Sequence, residues 1–369
     1  MNRTTFWCLV GGLLVSLPQA GMALAPLPQY YVTDLGLLPG ADSSYAGGIN
    51  DKGEVTGGSG NRVFLWKPQT GMQDLGTPGG YFTAGGVAIN ENGQIAVGAS
   101  QPTYPPFVGG VYRWQSGAYQ NLAGLGGTYS SAYGIDAQGR VAGMAYTSTG
   151  GIHAYRTTGN SMVDIDSLGG DYSLAYGINA NGIVVGEARN SQQEYHAFVW
   201  SGSGSMQDLG TLGGTQSRAQ DISDSGIIVG DSSTANNSSY RAFILQNGVM
   251  TNLGSLAAGS SYGQAVNNQG QVIGTFSDGQ YGYPYLWTSS TGMLALNSLM
   301  EPVTGAGWSL LSADDINNNG QIVGYGFHGS GGVRAFLLTP VPEPGSVVLL
   351  VIAAGAFGLS GARGGRRRS

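Results

Sequence analysis

The sequence has little charge and almost no cysteine. Charged side chains make up 10% of its 369 residues, whereas apolar side chains make up 41% and glycine alone contributes 66 residues. A chain this apolar is expected to fold, and this much glycine is atypical of an α/β enzyme. The single cysteine, Cys8, lies in an N-terminal apolar stretch. Disulfide bonds, a thiolate metal site and a cysteine nucleophile are therefore excluded from the remainder of the chain.

Positive charge is also scarce in the central part of the chain. Residues 26–340 contain 20 Asp or Glu and only 10 Lys or Arg. Such a surface repels phosphate backbones, so the sequence predicts no nucleic-acid partner. A phosphate-binding Gly-Lys-Ser/Thr motif is absent as well, which removes the usual sign of a nucleotide site.

The N-terminus has the layout of a secretory signal peptide. Arg3 precedes an apolar stretch over residues 6–17, and the small residues Ala23 and Ala25 follow it. This order of basic, apolar and small-residue regions predicts export through the Sec translocon and removal of residues 1–25. We expect an exported protein that is stabilised by hydrophobic burial and backbone hydrogen bonds.

The C-terminal tail, residues 341–369, has three parts. It begins with Val341, Pro342, Glu343 and Pro344, continues with an apolar segment at 346–362, and ends with Arg363, Arg366, Arg367 and Arg368. Arginines prefer the cytoplasmic side of a membrane. As a helix the segment would span about 26 Å, slightly less than a hydrocarbon core of about 30 Å. The tail therefore predicts a transmembrane helix. An ordinary membrane tail would explain the helix and the arginines but not the Pro-Glu-Pro.

The three-part tail resembles the PEP-CTERM sorting signal. The resemblance covers only the last 29 residues. It implies a Gram-negative bacterium whose exosortase recognises Pro342-Glu343-Pro344 and removes the tail. We therefore expect temporary anchoring in the inner membrane, followed by location in the cell envelope or outside the cell.

Three short units recur along the middle of the chain, seven times each. The first, Ile-Asn followed by a turn glycine and a β-branched run, begins at Ile49, Ile89, Ile135, Ile178, Ile222, Val266 and Ile316. The second is apolar and aromatic and begins at Phe64, Tyr112, His153, His196, Arg241, Tyr285 and Arg334. The third, Asp-Leu-Gly or a variant, begins at Asp34, Asp74, Asn121, Asp164, Asp208, Asn252 and, in degenerate form, Leu296. The first unit is spaced by 40 to 50 residues, which is the size of one propeller blade.

Each repeat is interpreted as four short strands. In Asn179-Ala180-Asn181-Gly182 the asparagine opens a type I turn, and the glycine takes the left-handed position of a bulged hairpin. β-branched runs such as Ile183-Val184-Val185 favour a buried strand, and the aromatic and Asp-Leu-Gly units supply the other two. No Asp-Leu-Gly follows the last aromatic unit, whereas the copy at 34–36 precedes the first repeat. The sequence therefore predicts an all-β, seven-bladed propeller of four-stranded blades over 26–340, closed by its N-terminal strand.

The repeats resemble the HAF extracellular repeat family, which is named for its His-Ala-Phe motif. His196-Ala197-Phe198 matches this motif, and residues 208–214 follow as the family pattern expects. The resemblance covers nearly all of residues 30–338, and it implies export and propeller-like repetition but no reaction. The chain departs from the pattern where other residues replace the motif histidine, at Arg62, Gly110, Arg241, Tyr283 and Arg334.

The histidines and the asparagine-rich turns do not predict a metal site. His153 and His196 share one repeat position, where arginine, tyrosine and glycine also occur, which indicates a solvent-facing strand position. His328 falls in a glycine-rich loop, and no third ligand is indicated. Turns such as 317–320 lack the acidic ligands of a calcium loop. No metal and no cofactor are therefore predicted.

The carboxylates do not form a convincing acid–base pair in the sequence. Asp74, Asp164 and Asp208 share one repeat position, which indicates a common structural hydrogen bond. Asp314 and Asp315 are adjacent, and neighbouring residues of a strand point to opposite faces of the sheet. We therefore expect no catalytic residue, although carboxylates or tyrosines with perturbed pKa values, gathered on one face or in the channel, would favour an enzyme.

A binding surface is the remaining functional interpretation. If Asp-Leu-Gly is the outer strand, the turns from second to third strand and the links between blades emerge on one face. Aromatic side chains of that face suit sugar or protein contacts, unless they only cap the blade ends. They are Tyr104, Phe107, Tyr281, Tyr283 and Trp308. The sequence predicts a non-enzymatic binding or structural module for a polysaccharide or an envelope protein. The alternative is a secreted polysaccharide lyase or hydrolase.

Overall fold

The computed structural model describes residues 27–101, 108–329 and 331–342. Within these residues the regular structure is β, apart from two single-turn 3₁₀ helices at Ala235–Asn237 and Leu296–Ser298. The all-β prediction is confirmed. In this part of the chain no helix is long and apolar enough to cross a bilayer. The predicted signal peptide at 1–25 and the predicted transmembrane segment at 346–362 lie outside the described residues.

The strands are short and follow one another at regular intervals. The first fourteen are β1 (Tyr30–Asp34), β2 (Ser44–Ile49), β3 (Val55–Ser59), β4 (Arg62–Lys67), β5 (Gly71–Gly76), β6 (Thr83–Ile89), β7 (Ile95–Ser100), β8 (Gly109–Gln115), β9 (Ala118–Leu122), β10 (Gly126–Ile135), β11 (Val141–Thr147), β12 (Ile152–Thr158), β13 (Ser161–Asp164) and β14 (Gly169–Ile178). They continue with β15 (Val184–Asn190), β16 (Tyr195–Trp200), β17 (Gln207–Asp208), β18 (Gly213–Ile222), β19 (Ile228–Thr234), β20 (Tyr240–Gln246), β21 (Val249–Asn252), β22 (Ser261–Val266), β23 (Val272–Ser277), β24 (Gly282–Thr288), β25 (Gly292–Ala295), β26 (Trp308–Ile316), β27 (Ile322–His328) and β28 (Val333–Pro340).

The strands pair in antiparallel groups of four. Sheets A (β2–β5), B (β6–β9), E (β18–β21) and F (β22–β25) each contain four strands that are consecutive in sequence. Sheets C (β10–β13) and D (β14–β17) have the same arrangement, and a single parallel pairing of Ile152 with Tyr172 joins them. The last sheet, G, has the order β1-β28-β27-β26. Its outer strand therefore comes from the opposite end of the chain.

The turn between first and second strands explains the Ile-Asn signature. At the β14–β15 turn, Asn179 Oδ1 accepts hydrogen bonds of 3.1 Å from the backbone N–H groups of Asn181 and Ile183. Gly182 has φ +76°, the left-handed conformation that glycine adopts at little cost. A register shift between Ala175 and Gly177 adds the bulge. The predicted hairpin chemistry is therefore present at this turn.

Hydrophobic clusters join each sheet to its neighbour. Between sheets D and E, Val185 and Ala197 pack with Ala219, Ile228 and Phe243, and all five side chains are buried. Full burial of a side chain such as phenylalanine contributes about 1.5–3 kcal/mol. Because the clusters recur between successive sheets, most of the core consists of sheet-to-sheet interfaces.

The first and last sheets meet, so the ring of sheets is closed. Strand β1 pairs with β28 in a register that places Tyr30 opposite Pro340 and Asp34 opposite Phe336. Just beyond β1, Leu35 is buried in the cluster that joins sheet A to sheet G. The predicted pairing of the N-terminal strand with the last aromatic strand is confirmed.

Asparagine side chains also link the turns of neighbouring sheets around the ring. Each Nδ2 donates to a backbone carbonyl of the next turn: Asn50 to Asn90 at 3.1 Å, Asn90 to Asp136 at 2.8 Å, Asn179 to Ser223 at 3.2 Å, Asn267 to Asn317 at 3.0 Å and Asn317 to Asn50 at 2.9 Å. Asp136 and Ser223 occupy the asparagine position in their turns. Neither side chain has an amide N–H to donate, so the link to the following turn is missing after each of them. The bond from Asn317 to Asn50 crosses the seam between the last and first sheets.

Candidate functional site

The loop aromatics expected on the binding face differ in their surroundings. Tyr281 is 59% exposed in the turn between β23 and β24. The Tyr283 hydroxyl donates to Asp278 Oδ2 at 3.1 Å, which fixes that ring at the same turn. Tyr104 and Phe107 lie outside the described residues. The turn from second to third strand therefore presents at least one exposed aromatic ring.

Trp308 was expected among the aromatic side chains exposed on the binding face, and this expectation is wrong. Trp308 is the first residue of β26 and is only 8% exposed. Its ring stacks on His328 at a centroid distance of 4.7 Å and meets Phe336 edge-on at 6.0 Å. His328 is likewise not a loop residue, because it ends β27, and its Nδ1 lies 3.3 Å from Asp34 Oδ2. These rings belong to the packing of sheet G.

The histidine and aspartate repeat positions pair with each other. His153 Nδ1 lies 2.7 Å from Asp164 Oδ2, and His196 Nδ1 lies 2.7 Å from Asp208 Oδ2. The other carboxylate oxygen of Asp208 accepts the backbone N–H of Gly210 at 2.7 Å. The shared structural hydrogen bond predicted for these aspartates is present. Among the described residues, no three His, Cys, Asp or Glu side chains gather closely enough to hold a metal.

One serine lies in a sequence that matches the Gly-x-Ser-x-Gly motif of nucleophilic serines, but its surroundings differ from those of a nucleophile. Residues 259–263 read Gly-x-Ser-x-Gly. The hydroxyl of Ser261 accepts the backbone N–H of Ala242 at 3.0 Å and donates to the carbonyl of Gly254 at 2.5 Å. The side chain is buried. Ser261 therefore ties strand β20 to its neighbours and is not placed as a nucleophile.

The first strands of the sheets line a central channel with a cavity of about 460 Å³. Its wall is mostly glycine and small apolar side chains, with the polar exceptions Tyr133, Tyr176, Gln220, Asp221, Gln264, Asp314, Asp315 and Tyr325. The expectation that Asp314 and Asp315 point to opposite faces is wrong, since both line the channel. A register shift between Ala313 and Asp315 breaks the alternation of side chains at this point.

The channel carboxylates have clear structural partners. Asp315 accepts the backbone N–H groups of Ile49, in sheet A, and Ile316 at 2.9 and 2.8 Å. Asp221 accepts those of Val266, in sheet F, and Ile222 at 2.9 and 2.7 Å. Burial raises the pKa of Asp315 to about 7 and that of Asp221 to about 6. Asp315 and Asp221 thus each bridge two sheets, whereas Asp314 accepts the Ser312 hydroxyl on Oδ1 at 2.7 Å and its Oδ2 has no partner among the described residues.

A second cavity opens near the mouth of the channel, across sheets D, E and F. Its volume is about 380 Å³. It is lined by Tyr172, Glu187, Tyr195, Gln216, Ser217, Arg218, Asp231, Tyr240 and Tyr262, and is called the tyrosine groove below. Tyr195 and Tyr240 begin the strands that follow the β15–β16 and β19–β20 turns. The groove therefore lies on the face that the sequence predicts for binding.

Paired aromatic rings form the sides of the tyrosine groove. Tyr172 and Tyr195 meet edge-on at a centroid distance of 5.4 Å, while Tyr240 and Tyr262 stack at 6.1 Å. The guanidinium of Arg189 lies 4.8 Å above the Tyr195 ring, within the range of a cation–π contact. These contacts hold the rings in place before any ligand binds.

Charged side chains also line the groove. Arg218 Nε donates to Asp231 Oδ1 at 2.7 Å, and Asp231 Oδ2 has no hydrogen-bond partner among the described residues. Burial raises the pKa of Asp231 to about 6, despite the nearby guanidinium. Burial also raises the pKa of Glu187, whose Oε1 accepts the Tyr176 hydroxyl at 3.0 Å. Two carboxylates and one guanidinium thus face a single groove.

The charged residues of this groove are absent from the sequence-based prediction, although the repeats contain a sign of them. Glu187 and Asp231 are the fourth residues of their second strands. The other second strands have Gly58, Gly98, Met144, Thr275 and Tyr325 at this position. Only sheets D and E therefore place a carboxylate there, and an alignment of the repeats by their second strands would have shown it.

Comparison with known proteins identifies the fold but not a family. No family model matches the chain, and no curated protein does. The propeller domain of the trilobed protease from Pyrococcus furiosus matches with a TM-score of 0.51 and 7% identity, over 82% of this chain and 98% of that one. Virginiamycin B lyase from Staphylococcus aureus, an inactive variant solved with quinupristin, matches with a TM-score of 0.50 and 11% identity, over 85% and 100%. The chain has the fold of a β-propeller.

Proposed function

We propose that this chain is an exported, seven-bladed propeller of the cell envelope or extracellular matrix, and that it binds a polysaccharide or protein without converting it. Seven copies of each sequence unit support the blade count. The N-terminal layout supports export through the Sec translocon. The resemblance of the tail to a PEP-CTERM signal supports temporary anchoring in the inner membrane of a Gram-negative bacterium and processing by an exosortase. The resemblance of the repeats to the HAF family supports an extracellular location.

The binding proposal rests mainly on the tyrosine groove. Binding sites are typically concave, with aromatic walls and a few polar groups that orient the ligand. The groove combines four tyrosines with Glu187, Arg218 and Asp231 on the face of the variable turns. Aromatic rings bury large areas in contact with sugars or proteins. The exposed Tyr281 extends the proposed surface on the same type of turn.

Alanine substitutions of single tyrosines test this proposal. We expect Tyr195→Ala and Tyr262→Ala each to weaken binding to purified matrix polymer by about tenfold, which corresponds to about 1.4 kcal/mol. Tyr31→Ala is the matched control, because Tyr31 is a partly exposed tyrosine of β1 outside the groove. Affinity electrophoresis of the three variants gives the comparison. Equal retardation of all three by the polymer would contradict the proposal.

A second function, polysaccharide cleavage, is favoured by carboxylates with raised pKa values, which line both the channel and the tyrosine groove. Glu187 and Asp231 face one groove, and both have raised pKa values. General acid–base chemistry and glycoside cleavage use paired carboxylates of this kind. Release of reducing ends from matrix polymer by the unaltered chain, lost in both Glu187→Gln and Asp231→Asn, would establish the enzyme. Binding without release supports the non-enzymatic function.

A further inference from the structure

Building on the proposed binding function, we infer that the tyrosine groove recognises an uncharged sugar whose hydroxyl group donates a hydrogen bond to Asp231 Oδ2. The inference joins three features of the groove: an unsatisfied buried acceptor, a lining with two carboxylates and one guanidinium, and aromatic rings on both sides of these groups. Each feature narrows the chemistry of the ligand.

The first feature is the unpaired oxygen of Asp231. The side chain is 1% exposed, Oδ1 is bound to Arg218 Nε at 2.7 Å, and Oδ2 has no partner among the described residues. A buried acceptor without a donor has lost its hydrogen bonds to water and gained none in return, which is unfavourable. Because Asp231 lines the groove, a ligand that supplies a donor there removes this cost. A sugar hydroxyl has the required proton.

The second feature is the charge of the groove. Among the described residues that line the groove, Arg218 carries the only positive charge, and two carboxylates, Glu187 and Asp231, line it as well. Asp231 binds the guanidinium through Nε, so the lining carries more negative than positive charge. A uronic acid would bring its own carboxylate against these two, within a chain whose net charge is already −6. The groove therefore disfavours acidic polysaccharides.

The third feature is the arrangement of the aromatic rings. Tyr172 and Tyr195 belong to sheet D, whereas Tyr240 and Tyr262 belong to sheets E and F. Strand β18, which carries Arg218, lies between them in the ring of sheets. Sugar rings have apolar C–H faces that stack on tyrosine, with their hydroxyl groups at the edges. A sugar between these rings can therefore donate from its edge to Asp231.

Selectivity of the unaltered chain is the first test. Titration calorimetry measures binding of neutral oligomers of glucose, mannose and galactose, of a uronate polymer and of an amino-sugar polymer. We expect binding of at least one neutral oligomer that changes little between about 0.05 and 0.5 M salt, since no net charge is paired. Tighter binding of the uronate or of the amino-sugar polymer would overturn the inference. This test needs no variant, so it is decisive whatever the folding of a mutant.

Asp231→Asn is the second test, since it keeps the shape of the side chain and removes its charge. We expect about tenfold weaker binding of the neutral oligomer, whereas Asp224→Asn, which alters an exposed residue of the β18–β19 turn outside the groove, leaves affinity unchanged. Unchanged affinity of Asp231→Asn would overturn the inference. Failure of the proposed binding function is a different result: no polymer binds, and the Tyr195 and Tyr262 variants behave as the unaltered chain does.

Discussion

Removal of the Asn317 side chain should weaken the ring at the seam between its first and last sheets. Asn317 Nδ2 donates to the carbonyl of Asn50 at 2.9 Å, and its Oδ1 accepts the N–H groups of Asn319 and Gln321 at 3.0 and 2.9 Å. The side chain is buried. In Asn317→Ala the two N–H groups lose their partners, whereas the Asn50 carbonyl keeps the N–H of Gly53 at 3.0 Å. At the low end of the range, about 1 kcal/mol for each N–H group, the loss is about 2 kcal/mol.

A loss of this size is measurable against a typical domain stability of about 5–15 kcal/mol. The matched control is Asn179→Ala, which removes the same turn bonds and a link to Ser223. That link joins sheets D and E, which are consecutive in the chain, so its loss does not open the ring. Both variants should unfold at lower urea concentration. Only Asn317→Ala should also speed amide hydrogen exchange in β1, β2 and β28.

Two results would refute this reasoning about the seam. One is a destabilisation of Asn317→Ala below about 0.5 kcal/mol, the range of ordinary surface substitutions. The other is an exchange pattern that is the same in both variants. Asn317→Ser should have an intermediate effect, because Ser223 shows that a hydroxyl can accept the turn N–H, from Ile227 at 3.1 Å.

Two further predictions concern acidity and sorting. Burial raises the pKa of Asp221, Asp231 and Asp314 to about 6 and that of Asp315 to about 7, from 3.8. The folded state then binds more protons than the unfolded state between about pH 4 and 7. The urea concentration at the unfolding midpoint should therefore fall as pH rises through this window. A midpoint that rises with pH would contradict this prediction. Replacing Pro342-Glu343-Pro344 by alanines should retain the protein in inner-membrane fractions, whereas release equal to that of the unaltered chain would argue against sorting by the tail.

The strand pattern could be predicted from sequence because turn chemistry is local. An asparagine and a left-handed glycine three residues later fix each first hairpin, as at Asn179 and Gly182. The closing strand could be predicted because an aromatic unit precedes every other Asp-Leu-Gly unit, and none precedes the copy at 34–36. That copy therefore had to pair with the last aromatic unit of the chain. Both conclusions need only the order of units along the chain.

The side-chain arrangement could not be predicted in the same way. Asp314 and Asp315 both line the channel because a bulge breaks the two-residue period of the strand. Trp308 is buried because β26 begins with it and His328 covers its ring. In both cases a general rule, the alternation of side chains along a strand or the exposure of residues between strands, fails at one local feature of β26.

The groove depended on information that no single repeat contains. Arg218 and Asp231 lie opposite each other in the β18–β19 hairpin of sheet E, and they meet Glu187 only after sheets D and E pack. Within its own repeat Glu187 is an isolated charge on a strand, which normally indicates a solvated face. A comparison among repeats, followed by placement of adjacent sheets, is the step that identifies them.

Hydroxyl-radical footprinting with the neutral oligomer tests the central claim most directly. Tyrosine side chains are oxidised in proportion to their exposure, so a bound sugar protects the rings that it covers. We expect protection of Tyr172, Tyr195, Tyr240 and Tyr262 at saturating oligomer, with unchanged oxidation of Tyr31. Protection confined to residues outside the tyrosine groove, with these four rings oxidised as in the free protein, would contradict it.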